Sequence, residues 1–423
     1  MAKPDLTELG TSGLRRSGGF VHEEFLNQLR GRRGFLVYRE MADNDPVIGS
    51  ILYAIEKVVL RLEWRIDPFD DSPEAEEIQK FIDECMEDMS DSWDQTLASI
   101  LSMLVYGFSF HEIVYKIRKG DSKDPKYNSK HNDGKIGWRK FAIRSQESLN
   151  NWMMDADGGI QGYRQIDPAG GGFREIPIDK GLLFRTNVSK NNPEGRSLLR
   201  NCFRPWYYKR RIEEIEAIGI ERDLAGLPVA KVPPEYLSSG ATAAQQSVLA
   251  EITQIVQNIK RNEQEGVIFP LMYDENGNEM FSLELLSSGG SRQFDTDKVI
   301  ARYDQRISMS VLSDFILLGH EQVGSFALGS QKMDLWTMSV EAIAKSIAEV
   351  MNQYAIPRLL KLNGMNTELA PYLSYGEVSS VDLNELSNYV QKLIGAGALS
   401  PDEKLEAYLR EQASLPPAEN LVD

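Results

Sequence analysis

Apolar residues recur at three- and four-residue spacing in the long stretches of this chain and at two-residue spacing in several short ones. From Asp45 to Val59, the positions Ile48, Ile51, Leu52, Ile55, Val58 and Val59 keep the 3.6-residue period of one buried helical face, and Pro46 suits a first turn. RLEWRIDP then alternates as a strand does. Helices are predicted around 73–89 and 92–105, the second with Leu97, Ile100, Leu101 and Leu104 on one face. FSFHEIVYKI (108–117) reads as a strand, a polar loop follows, and IGWRKFAI, GYRQI and KGLLFRT add short strands. Residues 61–190 are therefore expected to be an α+β module built on antiparallel sheet.

After Pro193 the pattern lengthens. WYYKRRIEEIEAIGIERDLAG puts Ile212, Ile215 and Ile218 or Gly219 along one helical stripe, and Gly-Leu-Pro stops it. Residues 227–290 read as a compact insertion: a strand (PVAKV), a helix near 243–263, and two strands (GVIFPLMY, MFSLELL) joined through DENGN. A second helix carries Ile300, Tyr303, Ile307, Val311 and Phe315. A glycine-rich loop, GHEQVGSFALGSQ (319–331), leads into a helix from about Gln331 to Leu362, with Pro357 expected to kink it. Long helices around a small insertion leave apolar stripes that need neighbours. No internal repeat supplies them, so other subunits in a ring are the expected source.

Composition narrows the chemistry. No apolar run approaches the ~18 residues of a membrane span, and MAKPDLTELGTSGLRRSGG lacks the apolar core of a secretory signal, so a cytoplasmic, membrane-free protein is expected. Net charge is 47 − 63 = −16, against an electrostatic grip on nucleic acid. Acids concentrate at 67–94 (twelve, with one lysine) and at 364–423 (ten, with three basic residues), while LRRSGG and QLRGRRG make the N-terminus basic. That glycine-containing segment reads as a mobile arm able to touch phosphate or an acidic partner. Cys85 and Cys202 stand far apart, and His22, His111, His131 and His320 are scattered. Neither HEIVY nor HEQVG completes HExxH, so no disulfide framework, metal site or cofactor is expected. Gly319, Gly324 and Ser325 mimic a P-loop frame, but no lysine precedes Ser325 and a helix, not a strand, enters the loop.

The order of segments resembles that of phage portal proteins, the head-to-tail connectors of tailed bacteriophages, most closely those of Mu-like phages. The resemblance is carried by YREMADNDPVIGSIL (38–52), YGFSFHEIVYKI (106–117), NPEGRSLLRNCFRPWYYKR (192–210), EGVIFPLMYDENGNEMFSLELL (265–286), MDLWTMSVEAIAKSIAEVMNQYAIPRLLKLNG (333–364) and GALSPDEKLEAYLREQASLP (397–416). None is a catalytic fingerprint; their order carries the likeness. It implies an α+β, portal-type fold: an arm (1–39), an α+β wing (40–200), stem helices (201–226 and 291–316), a small α/β clip (227–290), a tunnel loop (317–331), a long kinked helix (332–364) and a small helical C-terminal crown (365–423). It further implies a non-enzymatic ring, of twelve subunits in the family, at one capsid vertex. Through it double-stranded DNA passes without sequence readout during packaging and ejection. The implied partners are the terminase large subunit, the major capsid protein and head–tail adaptors. The implied location is the virion head–tail vertex, with the host cytoplasm during assembly.

On that reading Gly319, His320, Glu321, Gln322, Gly324, Ser325, Phe326 and Gly329 face the DNA. The glycines give backbone freedom, and Glu321 is the only charge, so the loop touches a moving duplex without capturing phosphate. Lys298, Arg302 and Arg306, four apart, form a channel-lining basic stripe or else pair with acids on neighbouring helices. The alternatives are a phage-associated metal-dependent nuclease or packaging enzyme, for which carboxylates abound but no motif exists, and a ring or adaptor protein that encloses no DNA.

Overall fold

Two short strands, β1 (Arg16–Ser17) and β2 (Phe20–Val21), pair as a hairpin ahead of the first helix, α1 (Gly31–Asn44). The structure is a computed structural model and describes residues 10–167, 169–225, 227–260, 273, 277, 279–286, 295–311, 326–378, 383–396, 400, 402, 405–406 and 409–410. The segment read as an arm is thus folded from residue 10 onward. Phe35, Tyr38 and Met41 bury one face of α1, a spacing that GRRGFLVYREMADN contains but its arginines obscure. Asp45 ends α1 and caps α2 (Pro46–Arg61), its carboxylate accepting from the amides of Val47 and Ile48 at 3.0 Å each. Ile48, Ile51, Ile55 and Val59 form the predicted buried stripe.

Strand β3 (Trp64–Asp67) leads to α3 (Pro73–Glu87), capped by Ser72, and α4 (Trp93–Ile100), opened by a Ser92/Gln95 capping box. The short α5 (Met103–Tyr106) stops at Gly107, whose φ of 97° suits glycine. The central sheet follows. In it β4 (Phe108–Ile117) lies between β5 (Ile136–Arg144) and β9 (Gly181–Arg185), all antiparallel as expected. A second antiparallel sheet runs β6 (Leu149–Met154), β7 (Ile160–Ile166), β8 (Phe173–Pro177). Its outer strands escape sequence reading because β6 carries two asparagines and β8 buries only Ile176. Between the sheets sits an aromatic core in which Phe110 stacks on Tyr163 at 4.8 Å and Trp152 meets Phe108 edge-on at 5.2 Å.

The chain divides into two compact units, Met1–Phe203 with Ile307–Asp423, and Arg204–Arg306. The second holds most of α6 (Phe203–Ala225), then β10 (Leu227–Lys231), α7 (Ala243–Lys260), β11 (Ser282–Leu286) and most of α8 (Thr296–Ser310). Strands β10 and β11 pair antiparallel over five residues each, with Lys231 and Glu284 in a 2.5 Å ion pair. Of the other predicted strand, residues 266–272 lie outside the described residues. A bridge between Tyr273 and Glu279 closes the turn read from DENGN.

The first unit resumes with α9 (Phe326–Val350), a π turn (Met351–Ala355) and α10 (Ile356–Leu362). Residues 326–331, read as the end of a loop, are helical. The expected break at Pro357 takes the form of that π turn. Proline cannot donate to the carbonyl four residues back and its ring crowds that oxygen, and one extra residue in the preceding turn relieves both. Val340, Ala344, Ile347, Met351, Ala355, Ile356, Leu359 and Leu360 are buried along this helix. Beyond it, β12 (Tyr372–Tyr375) pairs with β3, so the start of the region assigned to a separate crown belongs to the first unit's sheet. Within the segment expected to be a helical crown, α11 (Leu383–Gly395) forms, and residues 405–406 and 409–410 are helical.

The loop after β4 is fastened by charges taken out of water. Lys116 and Asp88, with side chains 3% and 4% exposed, pair at 3.0 Å. Lys116 also donates to the Asn128 carbonyl, and Asp88 accepts from the Ser129 hydroxyl and the Lys130 amide. Lys116→Met strands a buried carboxylate and is expected to destabilise the fold by roughly 3–5 kcal/mol, read as a lowered urea midpoint, with Asp88→Leu added to it restoring most of the loss. Burial raises the Asp88 pKa, but the hydrogen bonds from Ser129, Lys130 and Lys116 outweigh it and hold the carboxyl below its ordinary value. Its contribution is therefore full above the ordinary carboxylate range and is lost as pH falls through the lowered value. A variant whose stability matches the wild type across that range would refute this account.

Candidate functional site

Of the residues assigned to the glycine-rich loop, Gly319, His320, Glu321, Gln322, Gly324 and Ser325 lie outside the described residues. The backbones of Phe326 and Gly329 stand in the first turns of α9.

The other candidate residues lie in the second unit, where α6 and α8 run side by side. Lys209 Nζ lies 2.6 Å from Asp304 Oδ1, the Thr296 hydroxyl donates to Glu216, and Tyr208 stacks on Tyr303 at 6.4 Å. Lys209 is only 3% exposed at its side chain. Nothing in WYYKRRIEE separates it from its exposed neighbours Arg210 and Arg211, and the sequence reading missed it. Lys298, Arg302 and Arg306 are all exposed along α8. Lys298 pairs with Asp295 on its own helix at 2.9 Å, and the guanidinium carbons of Arg302 and Arg306 lie 5.6 and 5.7 Å from the Tyr303 ring centre. Arg204 faces Tyr208 in the same way at 6.0 Å. Arginines and tyrosines thus gather where residues 204–211 meet 302–306, while Glu213, Glu214 and Glu216 lie further along α6, and Asp295 and Asp297 at the start of α8.

Helix α6 has a second feature. Part of its apolar stripe is left uncovered by the described residues: Ile215 is 65% exposed and Ile218 48%, with Tyr207 also exposed, although another side of α6 packs on α8. A helix with apolar residues on two sides is stable where both are covered.

Three histidines away from this region have local partners. His111 is fully buried, with Nδ1 3.3 Å from the Phe141 carbonyl and Nε2 3.2 Å from the Ser109 hydroxyl, and burial pushes its pKa down to about 4. It is a neutral core residue. His131 lies 3.6 Å from Glu84 and His22 2.9 Å from the Ser17 hydroxyl. Cys85 and Cys202 are free and buried, and burial raises their thiols to about 11 and 12. In the acidic stretch, burial and then the charges of Glu87 and Asp67 raise Asp83 to about 6. Among the described residues no group of three or more His, Cys, Asp or Glu is arranged to hold a metal ion, and no helix is long and apolar enough to cross a membrane.

Residues 35–415 match the family model described as the portal protein of Mu bacteriophage. A chain in the virion of a native gene transfer agent particle is similar in fold, with a TM-score of 0.54 and 11% identity over 90% of this chain and 93% of that one. A chain in the neck of the native particle, computed with C12 symmetry, gives 0.54 and 12% over 92% and 95%. An HK97-family phage portal protein from Corynebacterium diphtheriae gives 0.43 and 14% over 80% and 95%.

Proposed function

The chain belongs to the portal protein family of Mu-like bacteriophages, and from that premise we propose that it forms the ring at one capsid vertex through which double-stranded DNA is packaged and ejected. The observation that carries the reading is the match over residues 35–415, which spans both compact units and every long helix. The likeness in fold to a chain from a virion neck computed with C12 symmetry supports a ring of twelve at the head–tail junction. In this reading residues 40–200 are the wing, α6 and α8 are the stem, and β10, α7 and β11 belong to the clip that meets the terminase large subunit and later the head–tail adaptors. The major capsid protein surrounds the ring. The role is structural, and the ring performs no chemistry on the DNA.

Two features of the second unit support this assignment. The uncovered side of α6 is what a helix between its own partner and a neighbouring subunit requires. Ile215 and Ile218 are 65% and 48% exposed, so burying the remainder there stabilises each interface by roughly 2–3 kcal/mol. Arg302 and Arg306 supply a modest positive stripe on an otherwise acidic chain, enough to touch phosphate without holding it. The loop at 319–325, whose only charge is Glu321, is assigned to the channel on the family resemblance.

The reading is tested first by negative-stain electron microscopy with native mass determination. Rings of about twelve with a hole of roughly 20 Å, the width of a duplex, are expected. Rings without a hole would favour an adaptor that encloses no DNA. Ile215→Lys with Ile218→Lys should abolish rings while leaving a folded monomer by circular dichroism, and intact rings would remove α6 from the interface. Glu321→Ala and Gly324→Pro should each leave assembly unchanged and lower packaged DNA, so normal packaging by both would remove the loop from the mechanism. Arg302→Ala with Arg306→Ala should reduce the salt dependence of weak duplex binding by about 0.9 in log–log slope for each phosphate no longer neutralised, and an unchanged slope would place the stripe away from DNA.

A further inference from the structure

The acidic stretch at 67–94 folds around a pocket. It has a volume of about 400 Å³ and lies where α3, the turn into α4, β3 and β12 meet within the first unit. On α3, Asp83, Met86 and Glu87 fall at the three- and four-residue spacing of one helical face, and all three line it. Trp93 opens α4 on one side and Trp64 in β3 stands on another. Their ring centres are 5.8 Å apart at 75°, so the two indoles form a corner. Met89 and the buried Ile66 and Leu373 complete the apolar lining.

The charges around this pocket do not balance. Arg65 pairs with Asp67 at 3.1 Å, and Lys130 reaches the Glu87 main-chain carbonyl at 3.0 Å. Asp91 has only a distant cation, Lys140 at 3.9 Å, and Asp83 accepts from the neutral Gln79 amide. The exposed Glu87 carboxylate has no cation or hydrogen-bond donor among the described residues. Three carboxylates therefore line a pocket whose two cations are held at other acceptors. The field is felt inside it: after burial, the charges of Glu87 and Asp67 push Asp83 up, with no cation opposing them. Negative potential, indole walls and methionines suit a side chain with an apolar stem and a cationic head.

The same chain carries a matching group. Arg32 and Arg33, in the first turn of α1, are exposed, and neither has a hydrogen-bond or ion-pair partner among the described residues. They lie apart from their own chain's pocket, whose lining includes no residue of α1. In a closed ring each subunit meets its neighbours through two different surfaces, so a donor on one surface can serve an acceptor on the other at every contact.

We propose that the pocket between Trp64 and Trp93 is an arginine-binding site, filled in the assembled ring by Arg32 or Arg33 of a neighbouring copy. The site's chemistry follows from the pocket; the source of the arginine rests on the ring reading given above. The planar guanidinium lies on an indole while its fork bonds to the carboxylates of Glu87 and Asp91, a combination that a lysine ammonium does not offer. The docked arginine supplies the positive charge that the 67–94 stretch lacks.

Two experiments on the full chain test the two parts. By titration calorimetry, N-acetylarginine amide should bind the wild type about fivefold or more tighter than its uncharged analogue N-acetylcitrulline amide, and Glu87→Lys with Asp91→Lys should erase the difference. Equal binding of the two compounds, or a preference that survives in that variant, overturns the site. For the source, native mass determination reads the subunit concentration at which rings form. Arg32→Glu with Arg33→Glu should raise it about tenfold or more, as should Glu87→Lys with Asp91→Lys, because like charges then face each other. All four substitutions in one chain restore opposite charges and should bring it back to within about threefold of wild type, which a misfolded variant could not do. An unchanged ring-forming concentration in either double variant, or no recovery in the fourfold one, overturns the neighbouring copy as the source. A wild type that selects arginine yet forms no rings supports the site and overturns the ring reading and that source together.

Discussion

Edge strands carry rows of unpaired amides and carbonyls, and this fold meets several of them with one helix. The run from α9 through the π turn into α10 reaches both edges of the central sheet and the strand returning from the C-terminal region. Asn363 accepts from the Ile136 amide at 2.8 Å and donates to its carbonyl at 2.9 Å, so a side-chain amide imitates one more residue of strand beside β5. Arg358 donates to the Gly181 carbonyl at the start of β9 at 2.7 Å. Asn352 makes the two-way bond with Leu373 in β12, at 2.7 and 3.0 Å. Asn352 lies in the π turn itself. The irregularity that Pro357 imposes is thus in the same turn as a side chain that holds the last strand, and straightening that turn would loosen both.

The order of elements was legible in the sequence wherever one periodicity dominated. Ile48, Ile51, Ile55 and Val59 read as a buried face and are one, and β4 could be read from FSFHEIVYKI because its apolar residues outnumber its polar ones. The failures have specific causes. Arginines at 30, 32 and 33 made a helix look like part of an arm, although Phe35, Tyr38 and Met41 decide its fate. Strand β12 was missed because a single buried residue, Leu373, anchors four. Its other tether, Asn352, stands twenty-one residues away, beyond any local window.

The candidate site was legible in a different measure. Spacing by four identified Lys298, Arg302 and Arg306 as a surface stripe, and they are exposed. What spacing could not distinguish was which cation among Lys209, Arg210 and Arg211 turns inward. Each reads alike in sequence, and only Asp304, almost a hundred residues later, selects Lys209. Burying that one ion pair fixes the register of α6 on α8, and register then decides that Tyr208 meets Tyr303 and that the arginines gather at one end of the pair. A partly buried ion pair is better suited to specifying such an arrangement than to stabilising it, since desolvation offsets much of its attraction.

The same logic separates the two polar devices of the first unit. Lys116 and Asp88 are both buried and both saturated: three carbonyl or carboxylate acceptors face the ammonium, and hydroxyl and amide donors face the carboxylate. A network with every member satisfied has one low-energy arrangement and rigidifies what it touches. Around Arg200 a single carboxylate, Glu24, accepts both bonds of the guanidinium fork, and both side chains remain partly exposed. Solvent competes for charges at such a pair, so it holds its segment more weakly than a pair taken fully out of water. The buried cluster therefore fixes the loop after β4, while the pair at Arg200 tethers the segment that precedes α1.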